Sequence, residues 1–400
     1  MSSTDAPTPE EIAFGHGVGI DDDVRRLVLR RQRAAVAREP SAVLLGAIRD
    51  RVRERCFVEF SGGVDSSLVL SAAARVAAER GAPAPVPVTL RFAARSTRED
   101  EFQERMIDWL GLTDWRIIDV DDELDLVGET SRRSLLEHGL NHSPRTAGRP
   151  WWLARLDVRD GDVLINGDGG DEVLATAPLV VLHALRYAAR SGRFRRQALQ
   201  LADERLRRRI RPAAAIAHPA WLDERGRAAH RAALDADRRR ALTMKQFLRD
   251  YRSSRALVIG ERRLAEQARR FGLDYFAPLL DINVICDLAA SIPDHHFINR
   301  SLVVRRHFAD LLPPEILHRT SKVYFSEAIY STATHEFARR WDGVTGIPTP
   351  YVDAEVLRRT WLDASDARSG LMLQAAWLAT RRAATGAERG TAADPGDDDR

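Results

Sequence analysis

The stretch Cys56–Ser67, C-F-V-E-F-S-G-G-V-D-S-S, limits what this chain can fold into more than any other. Five strand-favouring residues, Cys56 to Phe60, run into two glycines, an Asp and two serines. An Ala/Leu/Val-rich helix is expected next, from Leu68 to Glu79. A strand–loop–helix unit places its loop at the carboxyl end of the strand, where open α/β sheets bind ligands. Gly62 and Gly63 have no Cβ, so their backbone can crowd a bound group and adopt positive φ. The N–H groups of the turn and the helix dipole then converge on one spot suited to a phosphate. Asp65 is wrong for touching a phosphate but right for holding a magnesium ion that does. Ser61, Ser66 and Ser67 supply hydroxyl donors. No Gly-Lys-Ser/Thr follows the glycines, so this is not the Walker loop. The bland alternative is a glycine turn closed by a helix-capping Asp or Ser.

Four hundred residues, 44% of them hydrophobic, allow one large α/β domain with insertions or two domains. No apolar run approaches the ~20 residues needed to span a bilayer. The start, M-S-S-T-D-A-P-T-P-E-E, lacks the pattern of a signal peptide. Cys56 and Cys286 lie in apolar runs and read as buried thiols. A cytoplasmic enzyme without a membrane role is the expectation. Of the 61 Lys and Arg residues, only Lys245 and Lys322 are lysine. A compact ammonium and a planar guanidinium are not interchangeable, so a rare lysine is a candidate for chemistry.

Along the chain, residues 1–40 read as an N-terminal arm with an Arg-rich helix from about Asp21 to Glu39. Ser41 can cap a helix running to Glu54. Pro85–Phe92 and Trp115–Val120 read as second and third strands, with an acid-started helix between them. This alternation implies parallel βαβ units. Asp162–Glu172, D-V-L-I-N-G-D-G-G-D-E, is a second strand ending in glycines and acids. Two such loops can face each other across the strand ends, and Asp171 could share a metal with Asp65.

Residues 186–211 carry ten arginines and read as a solvated helical surface; nucleic acid is not an expected partner. Residues 221–271 read as two long amphipathic helices. Asp274–Asp281, D-Y-F-A-P-L-L-D, reads as an apolar segment ending at a helix cap. A helix from Ser301 to Leu311 stops at Pro313-Pro314, and R-T-S-K-V-Y-F-S follows over Arg319–Ser326. A C-terminal helix is expected from beyond Glu355 to about Thr380. Residues 41–345 then form the main domain and 346–383 a helical extension, with a disordered tail over 384–400.

The first loop resembles the S-G-G-x-D-S loop of the ATP pyrophosphatases. With N-G-D-G-G-D-E, A-P-L-L-D and R-T-S-K following in order, the chain resembles the synthetase domain of asparagine synthetase and its relatives. The resemblance covers about Ser41 to Ala328. It implies an α/β fold with a parallel sheet, helices on both faces and a large helical C-terminal portion, as in adenine nucleotide alpha hydrolases. It implies ATP and Mg²⁺, with an acyl-adenylate made from a carboxylate and then attacked by an amine.

Residue by residue, the resemblance implies that Ser61, Gly62, Gly63, Asp65, Ser66 and Ser67 hold pyrophosphate. Asp65 and Asp171 bind Mg²⁺, and Leu90 and Gly167 line the nucleotide site. Lys322 stabilises charge on the α-phosphate, Arg305 lies near the phosphates, and Asp168 sits beside the acyl group. Asp168 is a candidate for binding the amine or taking its proton, with Asp274 a weaker one. Asp168 replaces the family's usual Glu, which leaves room for a larger acyl substrate. The G-D-G-G-D loop looks most like that of lasso peptide macrolactam cyclases. A glutaminase-like N-terminal domain is not expected in the short arm, so ammonia would come from elsewhere. The expected substrates are a precursor peptide, with leader-binding or protease partner proteins, or else a small acid and a small amine.

Overall fold

The structure is a computed structural model that describes residues 6–52, 55–93, 98–174, 218–237, 243–319, 326–348 and 351–391. Five strands form one sheet in the order β3-β2-β1-β4-β5. They are β1 (Cys56–Glu59), β2 (Val86–Phe92), β3 (Arg116–Val120), β4 (Val163–Ile165) and β5 (Asp274–Phe276). Every pairing is parallel. On the central strand, Phe57 lies opposite Val86 of β2 on one side and Leu164 of β4 on the other.

Side chains of β1 alternate between two cores. Cys56, Val58 and Phe60 pack with Leu44, Leu68 and Val284 from the helices of one face. Phe57 packs with Trp152, Ala268 and Leu273 on the other. A sheet covered on both faces needs near-continuous apolar strands, which is the composition of C-F-V and V-L-I. Burial pushes the Cys56 thiol up to about 12 and the Cys286 thiol up to about 11. Both cysteines are free and buried, which removes them from nucleophilic chemistry.

A third core lies among the C-terminal helices. It joins Phe14, Trp221, Trp341, Trp361 and Trp377. The N-terminal stretch docks here through Ala13 and Phe14. Glu11 is 1% exposed and accepts from the backbone N–H groups of Thr8 and Val18 and from Arg255. Burial alone would raise its pKa, but donors from His142, Thr8, Arg255 and Val18 hold it at about 2.

Several expected elements take different bounds. The 221–271 region holds three helices, Glu224–Asp237, Met244–Arg252 and Arg255–Arg270, instead of two. The C-terminal region holds two, Ala354–Leu362 and Gly370–Thr391. Asp366 ends the continuity by accepting from the N–H of Arg368, a local bond that competes with helix propagation. The second helix extends well past the expected end near Thr380. The Arg-rich 186–211 segment lies outside the described residues. Among the described residues no helix is long and apolar enough to cross a membrane.

Candidate active site

The chain leaves β1 for β2 on one side and later returns to place β4 on the other. The boundary between β1 and β4 is therefore the topological switch point, where loops diverge and open a crevice. The two acidic loops of the sequence are those that follow β1 and β4. They touch backbone to backbone. A Cβ on Gly167 would lie 2.9 Å from the amide nitrogen of Ser66, and one on Gly170 would lie 2.2 Å from Asp65 Cγ. No side chain fits at either glycine, which is why the second loop reads G-D-G-G.

The first loop is tied by its own hydroxyls. Ser66 Oγ donates to the Gly63 carbonyl at 3.1 Å and accepts from the Ser61 N–H at 3.3 Å. Ser61 Oγ accepts from the Gly63 N–H at 3.3 Å. Gly62 has φ +83°, a left-handed value that L side chains resist. The helix that follows, Val64–Arg80, starts at Gly63 without a side-chain cap. Its first N–H groups are thus left to a ligand or solvent, as an anion site requires. Ser67 is fully buried, and its Oγ has no partner among the described residues.

One guanidinium joins the two acids. Arg300 Nη2 donates to Asp65 Oδ1, and Arg300 Nη1 lies 3.1 Å from Asp171 Oδ1. Carboxylates distant in sequence thereby converge on one cation. Arg300 carries no motif in the sequence, whereas Arg305 is the arginine that the resemblance places near the phosphates. Arg305 is exposed on the same helix, Arg300–His307, and its Nε donates to the Ser301 carbonyl at 3.2 Å. Arg305 lies five positions after Arg300, an offset that turns it to another face of the helix. In a chain this rich in arginine, composition gives no signal for Arg300.

A second set of residues braces the first loop from behind. Arg319 Nη1 donates to the Gly62 carbonyl at 2.5 Å, and Nη2 pairs with Glu99. These side chains are only 3% and 5% exposed. Gln103 Nε2 donates to the Ser61 carbonyl at 2.9 Å. The Arg319 guanidinium also lies 4.3 Å from the Phe102 ring centroid. Arg319 opens the R-T-S-K motif, but Lys322 itself lies outside the described residues.

Asp168 projects from the second loop and is exposed. Its Oδ2 accepts from Asn166 Nδ2 at 2.7 Å and from the Tyr275 hydroxyl at 3.4 Å. Burial, then the charge of Asp168, raises the Tyr275 pKa well above its usual value, so the hydroxyl stays a donor. Nearby, Arg149 makes a paired contact with Glu59 at 2.8 and 2.9 Å. The Tyr251 hydroxyl donates to Glu172 at 3.1 Å. Leu90 is half-buried in β2 and packs against the core that holds Phe57 and Trp152. Asp274 is exposed at the amino end of β5. In a parallel sheet that end faces away from the switch-point loops, which removes Asp274 from the site.

Among the described residues no group of three or more His, Cys, Asp or Glu side chains could hold a metal. Mg²⁺ needs less, since it usually takes one or two carboxylates with phosphate oxygens and water. Asp65 and Asp171 fit that role because they already share one cationic partner.

The parallel sheet and its two acidic loops define a nucleotide-binding α/β protein. The chain belongs to the asparagine synthase family, whose model matches residues 42–384. That family comprises ATP-dependent ligases that form amide bonds. A search of curated proteins gave no match.

Proposed function

We propose that this chain activates a substrate carboxylate with ATP and passes the acyl group to an amine, closing a macrolactam in a precursor peptide. The observation that supports ATP-dependent activation is the shared contact of Asp65 and Asp171 with Arg300 at the switch point, and the likeness of the G-D-G-G-D loop to that of macrolactam cyclases favours a peptide substrate. In the first step a carboxylate oxygen bonds to the α-phosphorus and the bond to the β-phosphate oxygen breaks. The uncapped start of the Val64–Arg80 helix and the glycine loop hold the departing pyrophosphate. A bound Mg²⁺ on Asp65 and Asp171 would draw charge from that pyrophosphate. Lys322 supplies fixed positive charge at the α-phosphate. Arg319, three residues earlier, supports this assignment through its bond to Gly62.

In the second step the amine nitrogen bonds to the acyl carbon and AMP leaves. Asp168, held at one oxygen by Asn166 and Tyr275, binds the amine and accepts its proton. An amine on the same peptide needs only proximity to react. Proteins that bind the leader or cut the precursor are the partners this reading implies, and the cytoplasm is its place.

ATP–pyrophosphate exchange tests the proposal when screened against candidate precursor peptides and against small carboxylates. Exchange with a peptide alone is the expected result. Exchange with a small acid alone would move the assignment to intermolecular amidation. No exchange with any carboxylate, alongside intact Mg·ATP binding, would overturn adenylation.

A further inference from the structure

Among the described residues, Arg319 and Arg300 contact the two loops and Arg149 lies at the end of β1, and the three are held differently. Arg319 is 3% exposed and is fixed by Glu99, the Gly62 carbonyl and the Phe102 ring. Arg149 is 11% exposed, pairs with Glu59 and lies over the Trp152 ring at 4.9 Å. Arg300 is 29% exposed, and the contacts seen for its side chain are the carboxylates of Asp65 and Asp171. Its Nε is buried without a partner among the described residues. The side chain rises from the first turn of a helix capped by Asn299, which accepts from the Ser301 N–H at 2.9 Å. The base of Arg300 is therefore anchored, while among the described residues no ring or backbone carbonyl ties its tip.

We infer that Arg300 is an exchangeable counter-cation, competing with a divalent metal ion for Asp65 and Asp171. The inference rests on the metal reading above and adds a residue to it. Two adjacent carboxylates repel, and a guanidinium between them removes that cost without a metal. A guanidinium does not lose its charge, so it cannot make way for a metal by deprotonating. It must move. Asp65 Oδ1 and Asp171 Oδ1 already face Arg300, so a metal that takes those oxygens displaces it. The loops thus stay apposed before the nucleotide arrives, and the arriving phosphates offer the displaced cation new negative charge. Arg300 is a positioning residue for the two acids.

The test is Mn²⁺ binding to the full chain without nucleotide, read as loss of the free Mn²⁺ signal in electron paramagnetic resonance. Removing a unit charge some ~6 Å from a divalent ion, even at the dielectric of water, should tighten binding by about tenfold in Arg300→Gln. Arg300→Lys keeps the charge and should stay closer to the wild type than Arg300→Gln does. The metal-free Arg300→Gln protein should melt lower than wild type, and saturating Mn²⁺ should close that gap, which separates exchange from misfolding. Equal or weaker Mn²⁺ affinity in folded Arg300→Gln would overturn the exchange while leaving the metal site intact. Equal Mn²⁺ binding by wild type and Asp171→Asn would overturn the metal reading itself, and the exchange with it.

Discussion

The protein holds carboxylates in two contrasting ways. Asp125, in the helical half, is fully buried and accepts five hydrogen bonds. They come from the N–H groups of Val127, Ser331 and Thr334 and the hydroxyls of Ser331 and Thr334, at 2.8 to 3.0 Å. All five donors are neutral, and three belong to the backbone. They tie the loop before the Glu129–His138 helix to the start of the Thr332–Arg340 helix. Asp65 and Asp171, in the loops at the carboxyl ends of β1 and β4, instead share one long cationic side chain. Asp171 is exposed, with 48% of its side chain accessible. Fixed neutral donors make an acid part of the scaffold. A displaceable cation, as inferred for Arg300, would leave it available to a ligand.

Substitutions should separate the two regions. The largest effect is expected at the two acidic loops. Asp65→Asn or Asp171→Asn should cut substrate-dependent AMP formation by about a thousandfold or more, the scale of removing a transition-state charge contact. Urea denaturation of these variants should stay near wild type. Asp125→Ala should do the reverse, costing about 3–5 kcal/mol of folding stability by leaving buried donors unpaired. Protein that remains folded should still bind Mg·ATP. A stability loss at Asp171 equal to that at Asp125 would erase the distinction.

Gly170→Ala sharpens it further. The new methyl collides with Asp65 and must push the loops apart, costing about 1–3 kcal/mol in nucleotide affinity. Calorimetric titration with Mg·ATP would measure that loss, and unchanged affinity would show that the loops need not touch.

The smallest expected effect concerns pH and falls in the helical half. His230 sits between His16 at 2.9 Å and His218 at 2.8 Å. Burial, with His16, His218 and Arg368 nearby, lowers its pKa from 6.5 to about 4. The unfolded chain therefore takes up this proton first as pH falls. Stability should decline from about pH 6.5 toward pH 4 and be flat for this group above that window. His230→Gln should flatten the slope in urea titrations without touching nucleotide affinity.

The site loops were legible in the sequence because their constraints are local. Gly62 must adopt positive φ, Gly170 must make room for Asp65, and strands must precede both, so residue type alone marks them. The sheet was legible for the same reason, since β1, β2 and β4 are short apolar runs ending in punctuation. β5 was read only as an apolar segment, because three residues carry too little periodicity to mark a strand. Partners that arrive from far along the chain were not legible. Arg300, Arg319, Gln103 and Tyr275 act through tertiary contacts and look like ordinary helix or strand residues. Glu11 in the N-terminal stretch was not legible for the same reason, since its partners Arg255 and His142 come from distant parts of the chain.

The most direct check on the central claim needs no acyl substrate. Thermal unfolding should be followed with Mg²⁺ and α,β-methylene-ATP, whose α–β bridge cannot be cleaved. Wild type should gain several degrees with both present, while Asp65→Asn and Asp171→Asn should each gain little or nothing. A full ligand-induced shift in both variants would mean that the two acidic loops do not form one nucleotide–metal centre.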